Sequence, residues 1–231
     1  MPPERRASGA QANALDLSEL LRQGVAQLGL VLDERTLRQL LDYLDLLRKW
    51  NSVYNLTAVR DPAQMLVQHL LDSLAILPPL RRRLDLAHMT IADVGSGAGL
   101  PGIPLAIVQP TAAVLSIEPV GKKSAFQRQV CGELALTNFE VYAGRAESLA
   151  RPVDLVLCRA FASIADFIDA AAGLTGPTTV LAAMKGQRAG IDAELAALPP
   201  EYGVTIEPLQ VPFLAAERHL VLIGRAPVTA A

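Results

Sequence analysis

Apolar residues recur at three- and four-residue intervals in the first third of the chain, the spacing of helices that bury one face. One such segment covers residues 16–30. A second follows Asp33, a good N-cap, and its apolar positions are Leu37, Leu40, Leu41, Leu44 and Leu47, with Trp50 beyond. A third is expected to begin at Asp61-Pro62 and to end at Pro78-Pro79. The pattern therefore predicts a group of helices, with residues 51–60 as a connector between the second and third.

The pattern changes at Thr90, where short apolar runs begin to alternate with helical segments. The predicted strands are residues 90–94, 113–118, 139–143, 153–158 and 178–184. Helices are predicted between them at 100–109, 121–136, 163–172 and 188–198. After Pro199-Pro200, two further strands at 203–211 and 217–224 follow each other without a helix. This order predicts an α/β fold with a mostly parallel sheet, closed by a C-terminal antiparallel hairpin and preceded by an N-terminal helical cap.

These patterns divide the chain into three parts. Residues 1–13 are polar and are expected to be disordered, residues 14–88 form the helical subdomain, and residues 89–231 form the sheet domain. The uncharged stretch 94–117 is long enough to span a membrane, but prolines and glycines interrupt it. No secretory signal precedes the first helix, so we expect a soluble protein in the cytoplasm without a membrane partner. We also expect a monomer.

The composition of the chain mainly argues against certain kinds of site. The net charge of −2 gives no overall basic field for nucleic acid, although a local basic patch would suffice. Cys131 and Cys158 have neither metal-binding nor redox spacing, and the histidines show no metal-ligand pattern. We therefore expect a reduced protein with no metal site.

The most informative stretch is TIADVGSGAGLPG at residues 90–102. It predicts a strand with an acid, Asp93, near its end, followed by a glycine-rich turn and a helix beginning at Leu100-Pro101. Glycines permit positive φ and let backbone N–H groups approach a ligand closely. The start of the helix can bind a phosphate or a carboxylate, so this stretch indicates a cofactor site.

Two classes of cofactor fit this turn. Residues 97–102 match the dinucleotide pattern G-x-G-x-x-G, with Glu118 about twenty residues further on as the acid that binds ribose. The better match is acid-x-G-x-G-x-G, formed by Asp93, Gly95, Gly97 and Gly99, because Gly95 and Gly97 directly follow the strand. This pattern, like the closing hairpin, resembles Rossmann-like class I S-adenosylmethionine methyltransferases. A dinucleotide-dependent oxidoreductase and a methyltransferase of small molecules or proteins remain alternatives.

Longer blocks point to one family. They are YNLTAVRDP (54–62), HLLDSLA (69–75), DVGSGAGLPGIPLAI (93–107), CRAFAS (158–163), MKG (184–186) and ERHLV (217–221). In this order they resemble the ribosomal RNA small subunit methyltransferase G family, formerly called glucose-inhibited division protein B. The resemblance implies methylation at N7 of guanine 527, in the 530-loop region of bacterial 16S rRNA, with S-adenosylmethionine as the methyl donor.

The resemblance also implies the residues that bind the cofactor. They are Gly95, Ser96, Gly97 and Leu100 at the glycine loop, Glu118 at the ribose, Ala146 and Glu147 at the adenine, and Arg159. Glu118 stands where other members have Asp, and its longer side chain should still reach the ribose. Ser96 and Ala98 replace Thr and Pro in a loop that acts mainly through its backbone.

The chemistry of this target requires no proton-transfer residue. Guanine N7 carries a lone pair and no proton, so the enzyme needs only to align the reacting atoms. Arg159 and Lys185, expected at carboxyl ends of strands, are candidates for orienting cofactor carboxylate or RNA phosphate. The alternative for both is an ion pair with Asp93, Asp154 or Glu147.

Three other residues have a structural explanation beside a chemical one. Cys158 lacks the preceding proline of cytosine-C5 enzymes, which favours a buried strand cysteine over a nucleophile. Phe161 can stack on the target base or pack in the core. His69 lies on an apolar helix and is more readily explained as a core histidine.

Basic clusters are the candidates for RNA contact. They are Arg48-Lys49, Arg81-Arg82-Arg83, Lys122-Lys123, Lys185 and Arg218. Such contacts with phosphates would be sensitive to salt and independent of base sequence. Taken one at a time, a cluster of this kind is more often an ordinary solvated surface.

Overall fold

The computed structural model describes residues 8–199 and 202–224. Helices come first along the chain: α1 (Ser8–Gln27) and α2 (Glu34–Tyr54). A continuous helix follows, made of α3 (Pro62–Met65), a π-helical turn (Leu66–Leu71) and α4 (Asp72–Leu74). The short α5 (Leu77–Arg81) completes the helical cap.

Both predicted N-caps are confirmed. The Asp33 carboxylate accepts from the backbone N–H of Thr36 at 2.7 Å, and that of Asp61 accepts from Gln64 at 2.8 Å. Each bond satisfies one of the free N–H groups at the start of a helix, which stabilises that end. The start positions of α2 and α3 are therefore as the sequence predicts.

Several boundaries differ from the prediction, three of them in the cap by a change that alters its interpretation. Helix α1 begins at Ser8 rather than residue 16, so part of the segment expected to be disordered is helical, and residues 1–7 lie outside the described residues. Helix α2 continues to Tyr54, four residues into the expected connector. Pro78-Pro79 does not end a helix but lies in the first turn of α5, where the missing N–H groups would have no helical partner anyway.

The sheet has seven strands in the order β3-β2-β1-β4-β5-β7-β6. Their bounds are β1 (Thr90–Val94), β2 (Ala113–Ile117), β3 (Phe139–Tyr142), β4 (Leu155–Arg159), β5 (Val180–Lys185), β6 (Gly203–Pro208) and β7 (His219–Gly224). The first five strands are parallel, and β7 runs antiparallel to both β5 and β6. This confirms the mostly parallel sheet with a C-terminal antiparallel hairpin. The strand order reverses between β1 and β4, which is where such sheets bind ligands.

Helices cover both faces of this sheet. They are α6 (Gly102–Val108), α7 (Gly121–Glu133), α8 (Ile164–Ala170) and α9 (Arg188–Leu195), with short 3₁₀ turns at Ala146–Ser148 and Ala172–Leu174. Helix α6 begins at Gly102, two residues after the predicted start. Buried leucines of the cap, such as Leu44 and Leu70, share one apolar core with α6 and β1. A second core under α8 and α9 occupies the opposite face.

Helix α2 lies antiparallel to α7. Gln39, near the start of α2, donates to the carbonyl of Leu134 after the end of α7, while Lys122 at the start of α7 donates to the carbonyl of Tyr54. Because α7 begins directly after β2, the last turns of α2 lie at the carboxyl ends of the parallel strands. Within residues 8–199 and 202–224, no helix combines the length and hydropathy needed to cross a bilayer.

Candidate active site

The glycine loop after β1 has the backbone geometry that its sequence predicts. Gly95, Gly97 and Gly99 have φ values of +67°, +62° and +82°, in the left-handed region that residues with a Cβ rarely adopt. The N–H groups of Gly95 and Ser96 both donate to the carbonyl of Ile117 at the end of β2. The loop therefore folds over the ends of β1 and β2.

A cluster of buried polar side chains fixes this loop by hydrogen bonds. The amide nitrogen of Gln127, on α7, donates to the Ser96 hydroxyl and to the carbonyl of Gly97, both at 2.8 Å. The hydroxyl of Ser116, on β2, hydrogen-bonds to both Ser96 and the Gln127 amide oxygen. All three side chains are excluded from solvent. Sequence reasoning did not identify Gln127 or Ser116, because nothing in the local pattern distinguishes them from other core-facing positions.

The cap holds the next residue of the loop. The hydroxyl of Tyr43, from the middle of α2, donates to the carbonyl of Ala98 at 2.8 Å, and the Tyr43 ring is completely buried. The carbonyls of Gly97 and Ala98 are thus both occupied by side chains from α7 and α2. The loop is shaped by residues of both the cap and the sheet domain.

Glu118 follows β2 directly and is almost completely buried. One carboxylate oxygen accepts from the N–H of Gly97 at 2.7 Å, and the other accepts from the N–H of Val120 at 2.8 Å. Each oxygen keeps a second lone pair with which it can accept a ligand hydroxyl. The acid predicted to bind ribose therefore lies against the predicted cofactor loop.

Asp93, on β1, is completely buried. Its Oδ2 accepts from the N–H of Gly102, at the start of α6, at 2.8 Å, whereas its Oδ1 has no hydrogen-bond partner among the described residues. Burial raises the pKa of Asp93 to about 7, although the bond from Gly102 and the nearby Arg159 oppose the shift. The buried Asp93 carboxyl, next to the loop, can therefore accept a further hydrogen bond through its Oδ1.

The remaining residues assigned to the cofactor lie around the same edge. Leu100 is buried beneath the loop, and Ala146 and Glu147 occupy the 3₁₀ turn after β3, with Ala146 buried and Glu147 exposed. The ends of β1, β2 and β3 therefore contribute all of the residues predicted to bind cofactor except Arg159, which ends β4.

A pocket of about 330 Å³ lies at the same edge of the sheet, at the ends of β4 and β5. Its polar centre is Asp72, a buried residue of α4 that binds two arginines. Arg159 donates to Asp72 at 3.4 Å and to the carbonyl of Gln68 at 3.1 Å, and Arg218 donates to the other Asp72 oxygen at 3.0 Å. Arg159 and Arg218 remain about a quarter exposed, at 24% and 29%. The pocket thus presents two cations held in place by one carboxylate.

The ion-pair partners differ from the alternatives that the sequence suggested. Arg159 pairs with Asp72, not with Asp93, Asp154 or Glu147, and Lys185 pairs with Glu194 of α9 at 2.8 Å. Sequence reasoning overlooked Asp72 and Glu194. Asp72 carried a signal, since it is an acid within the largely apolar segment 70–77, and such a residue is rarely buried without a partner.

Three further residues line or adjoin the pocket. His69 is buried in the π-helical turn, bonded to the Thr57 hydroxyl at 2.9 Å, and burial lowers the pKa of His69 to about 4, so it is neutral at physiological pH. Cys158 is fully buried within β4, and burial raises the pKa of its thiol, as expected for a structural cysteine. Phe161 is half-buried, packs on Phe167 with ring centroids 5.7 Å apart, and lies next to Gly95.

The basic clusters have different surroundings. Arg82 and Arg83 both bind Glu207 on the edge strand β6, and Arg81 lies beside Gln109. Lys122 donates to the carbonyl of Tyr54, next to the less exposed Lys123. Arg48 and Lys49 line a groove of about 460 Å³ on the cap. No group of three or more potential metal ligands occurs within the described ranges.

Comparison with known proteins agrees with this architecture. Residues 36–221 match a family model described as GidB, rRNA small subunit methyltransferase G. A ribosomal RNA small subunit methyltransferase G from Burkholderia vietnamiensis is 49% identical over 228 residues, covering 95% of this chain and 96% of the relative. One from Azoarcus sp. is also 49% identical, over 208 residues, covering 89% and 95%.

Similar solved structures share the sheet. An S-adenosylmethionine-dependent methyltransferase from Aquifex aeolicus superposes with a TM-score of 0.52 at 18% identity, covering 71% of this chain and 93% of that one. The putative methyltransferase yhhF from Escherichia coli gives 0.52 at 13% identity, covering 67% and 86%. At these identities the likeness concerns the fold, which is that of class I S-adenosylmethionine methyltransferases. The strand order, the glycine loop and the match over most of the chain lead to one conclusion: the chain belongs to the ribosomal RNA small subunit methyltransferase G family.

Proposed function

We propose that this protein transfers a methyl group from S-adenosylmethionine to N7 of guanine 527 in 16S rRNA, acting as a monomer in the cytoplasm. The observation that carries the proposal is the juxtaposition of two features at one edge of the sheet. A glycine loop with Glu118 lies at the ends of β1 and β2, and a cationic pocket lies at the ends of β4 and β5. Family membership names the small subunit rRNA as the substrate class.

The residues around the loop fit S-adenosylmethionine. Glu118 can accept both ribose hydroxyls, and the unpartnered Oδ1 of Asp93 can accept from the ammonium group of the methionine moiety. The loop glycines leave the backbone open where the methionine end would lie, and Ala146 and Glu147 border the place expected for adenine. When bound, this cofactor supplies an electrophilic methyl group.

The protein's own contribution is orientation. Guanine N7 has no proton to remove, so neither the neutral His69 nor the buried Cys158 is needed as a base or nucleophile. Holding base and methyl donor in line converts an encounter between two molecules into a step within one complex, which accelerates such reactions greatly. Arg159, placed between the loop and the pocket, is the orienting residue best situated to contact both.

The pocket is suited to a nucleotide of the substrate. Arg159 and Arg218 are held by Asp72, and the guanidinium group of each can donate bidentately to a phosphate or singly to O6 of a guanine, which leaves the lone pair of N7 free. Lys185 is neutralised by Glu194, so we assign it a supporting role. Half-buried Phe161 offers a ring on which the target base can stack.

Methyl transfer to small ribosomal subunits from a strain that lacks this modification tests the proposal. With tritiated S-adenosylmethionine, we expect one methyl group per subunit, mapped to N7 of the target guanine. Glu118→Ala should abolish incorporation at low cofactor concentration, whereas Glu140→Ala, an exposed glutamate on β3, should not. Incorporation at another base, or only into a protein or small molecule, would contradict the assignment.

A further inference from the structure

The groove on the cap lies next to the proposed nucleotide pocket. Met65 lines the groove and Gln68 lines the pocket, and these residues are three positions apart on one continuous helix. Between the two cavities runs the connector after α2, where Thr57 binds His69 of the pocket. Because α2 is antiparallel to α7, the groove at the end of α2 lies, like the pocket, near the carboxyl ends of the parallel strands. A strand of RNA in one cavity can therefore continue into the other.

The groove is rich in positive charge. Arg48, Lys49 and Arg60 line it against a single carboxylate, Asp45, which pairs with Arg48 at 2.8 Å. Arg60 is exposed and donates only to the neutral Asn55 side chain among the bonds described, at 2.7 Å. By contrast, Arg82 and Arg83 on the outer cap share the carboxylate of Glu207. Of these clusters, the groove keeps more of its charge available for a partner.

The groove is also preformed. Asn51, buried at the base of the groove, donates to the carbonyl of Val59 at 3.1 Å and accepts from the N–H of Thr57 at 2.8 Å. These bonds hold the connector against α2 and thereby fix the backbone that carries Arg60. A preformed cationic groove binds an anion with little loss of conformational entropy.

We propose that this groove binds the phosphate backbone of the RNA that flanks the target nucleotide, with Lys49 and Arg60 as the main contacts. The inference rests on the proposed function and extends it, since it assigns the cap to RNA binding. It also separates the basic clusters: Arg48, Lys49 and Arg60 contact substrate, whereas Arg82 and Arg83 serve the cap–sheet contact. Phosphate contacts hold the RNA in register without reading its sequence.

The test is charge reversal in the groove, Lys49→Glu with Arg60→Glu, compared with Arg35→Glu and Arg38→Glu, two exposed arginines at the opposite end of α2. We expect the groove variant to raise the KM for small subunits about tenfold or more and to lower the slope of log affinity against log salt by about one to two units. Its affinity for S-adenosylmethionine should be unchanged. The control should resemble the wild type.

Three outcomes would each contradict a different part of the proposal. If groove and control variants behave alike, the groove does not bind RNA. If only assembled subunits, and not the deproteinised rRNA, lose affinity for the groove variant, the partner is an acidic segment of a ribosomal protein and the proposal is wrong. If the wild-type protein methylates no ribosomal substrate at all, the proposed function itself fails.

A second observation concerns the buried hydroxyl of Tyr43. We infer that Tyr43 is a positioning residue for the cofactor loop, because its bond fixes the carbonyl of Ala98 while Gln127 fixes that of Gly97. With both carbonyls held inward, the loop keeps the shape that its three left-handed glycines require. The cap would then serve cofactor binding as well as substrate binding.

Tyr43→Phe tests this role by removing only the hydroxyl, and Tyr54→Phe is the matched control, an exposed tyrosine at the end of the same helix. We expect Tyr43→Phe to raise the calorimetric Kd for S-adenosylmethionine about five- to tenfold, since a buried carbonyl loses its partner. kcat at saturating cofactor and the KM for rRNA should stay within about twofold. A lowered Tm with an unchanged Kd would show that the bond is merely structural and would overturn the inference.

Discussion

Asp93, Glu118 and Gln127 are almost excluded from solvent, yet all three lie next to the glycine loop. Burying such groups costs stability unless every polar atom is hydrogen-bonded. Glu118 and Gln127 satisfy this condition with backbone and hydroxyl partners, whereas the Oδ1 of Asp93 does not. A residue that breaks a packing rule at a ligand site is typical of functional regions. The titration of Asp93 can therefore be used to probe the site.

Replacing Asp93 by Asn should change how stability depends on pH. Burial raises the pKa of Asp93 from 3.8 to about 7, so between these values the folded protein holds a proton that the unfolded chain has released. Rising pH then removes stability across that window, and Asp93→Asn should abolish this contribution while its amide oxygen still accepts from Gly102. Thermal unfolding of both proteins from about pH 4 to pH 8 measures the difference. If the stability of the two proteins changed with pH in the same way, Asp93 would not titrate in this pH range.

At the scale of elements, the glycine loop shows how local and tertiary constraints combine. Gly97 and Gly99 share left-handed φ values, but their surroundings differ. A Cβ on Gly97 would meet no atom closer than 4.0 Å, whereas one on Gly99 would overlap Cδ1 of the buried Ile103 on α6. The first glycine is needed only for its backbone conformation, and the second is needed also for close packing between loop and helix.

Alanine substitutions should separate these two roles. We expect Gly97→Ala to lower the free energy of unfolding by about 1–2 kcal/mol, the cost of a left-handed residue with a side chain. Gly99→Ala should cost about 1–3 kcal/mol more, because Ile103 must move within a packed core. Urea unfolding of the two variants measures both values. Equal losses would mean that Ile103 accommodates the extra methyl group without strain.

At the scale of the whole molecule, the cap and the sheet share one apolar core. Leucines of α1, α2 and the π-helical turn pack with residues of α6 and β1. The polar contacts Tyr43–Ala98 and Asp72–Arg159 cross the same boundary. We therefore expect the predicted subdomain 14–88 to unfold together with the rest of the chain, although its sequence reads as a separate unit.

The single tryptophan, Trp50, makes this measurable. It lies on α2 against Phe126 of α7, with ring centroids 5.5 Å apart, so its fluorescence reports on the cap–sheet contact. Leu44→Ala, in the shared core, should lower the free energy of unfolding by about 2–5 kcal/mol in both fluorescence and far-ultraviolet circular dichroism. Val31→Ala, at a position 96% exposed, is the control and should cost less than about 0.5 kcal/mol. If fluorescence and circular dichroism gave different midpoints of unfolding, the cap would unfold independently of the sheet domain.

The order of helices and strands, both N-caps and the glycine loop could be predicted from the sequence, because apolar periodicity, capping and positive φ are properties of neighbouring residues. Pro78-Pro79 misled the prediction because proline is compatible with either side of a helix boundary, and only the path of the chain chooses between them. The partners of the site needed the folded chain: Tyr43 lies 55 residues from Ala98, and Arg218 lies 146 residues from Asp72. Such contacts arise where packing brings distant segments together, so no local pattern contains them.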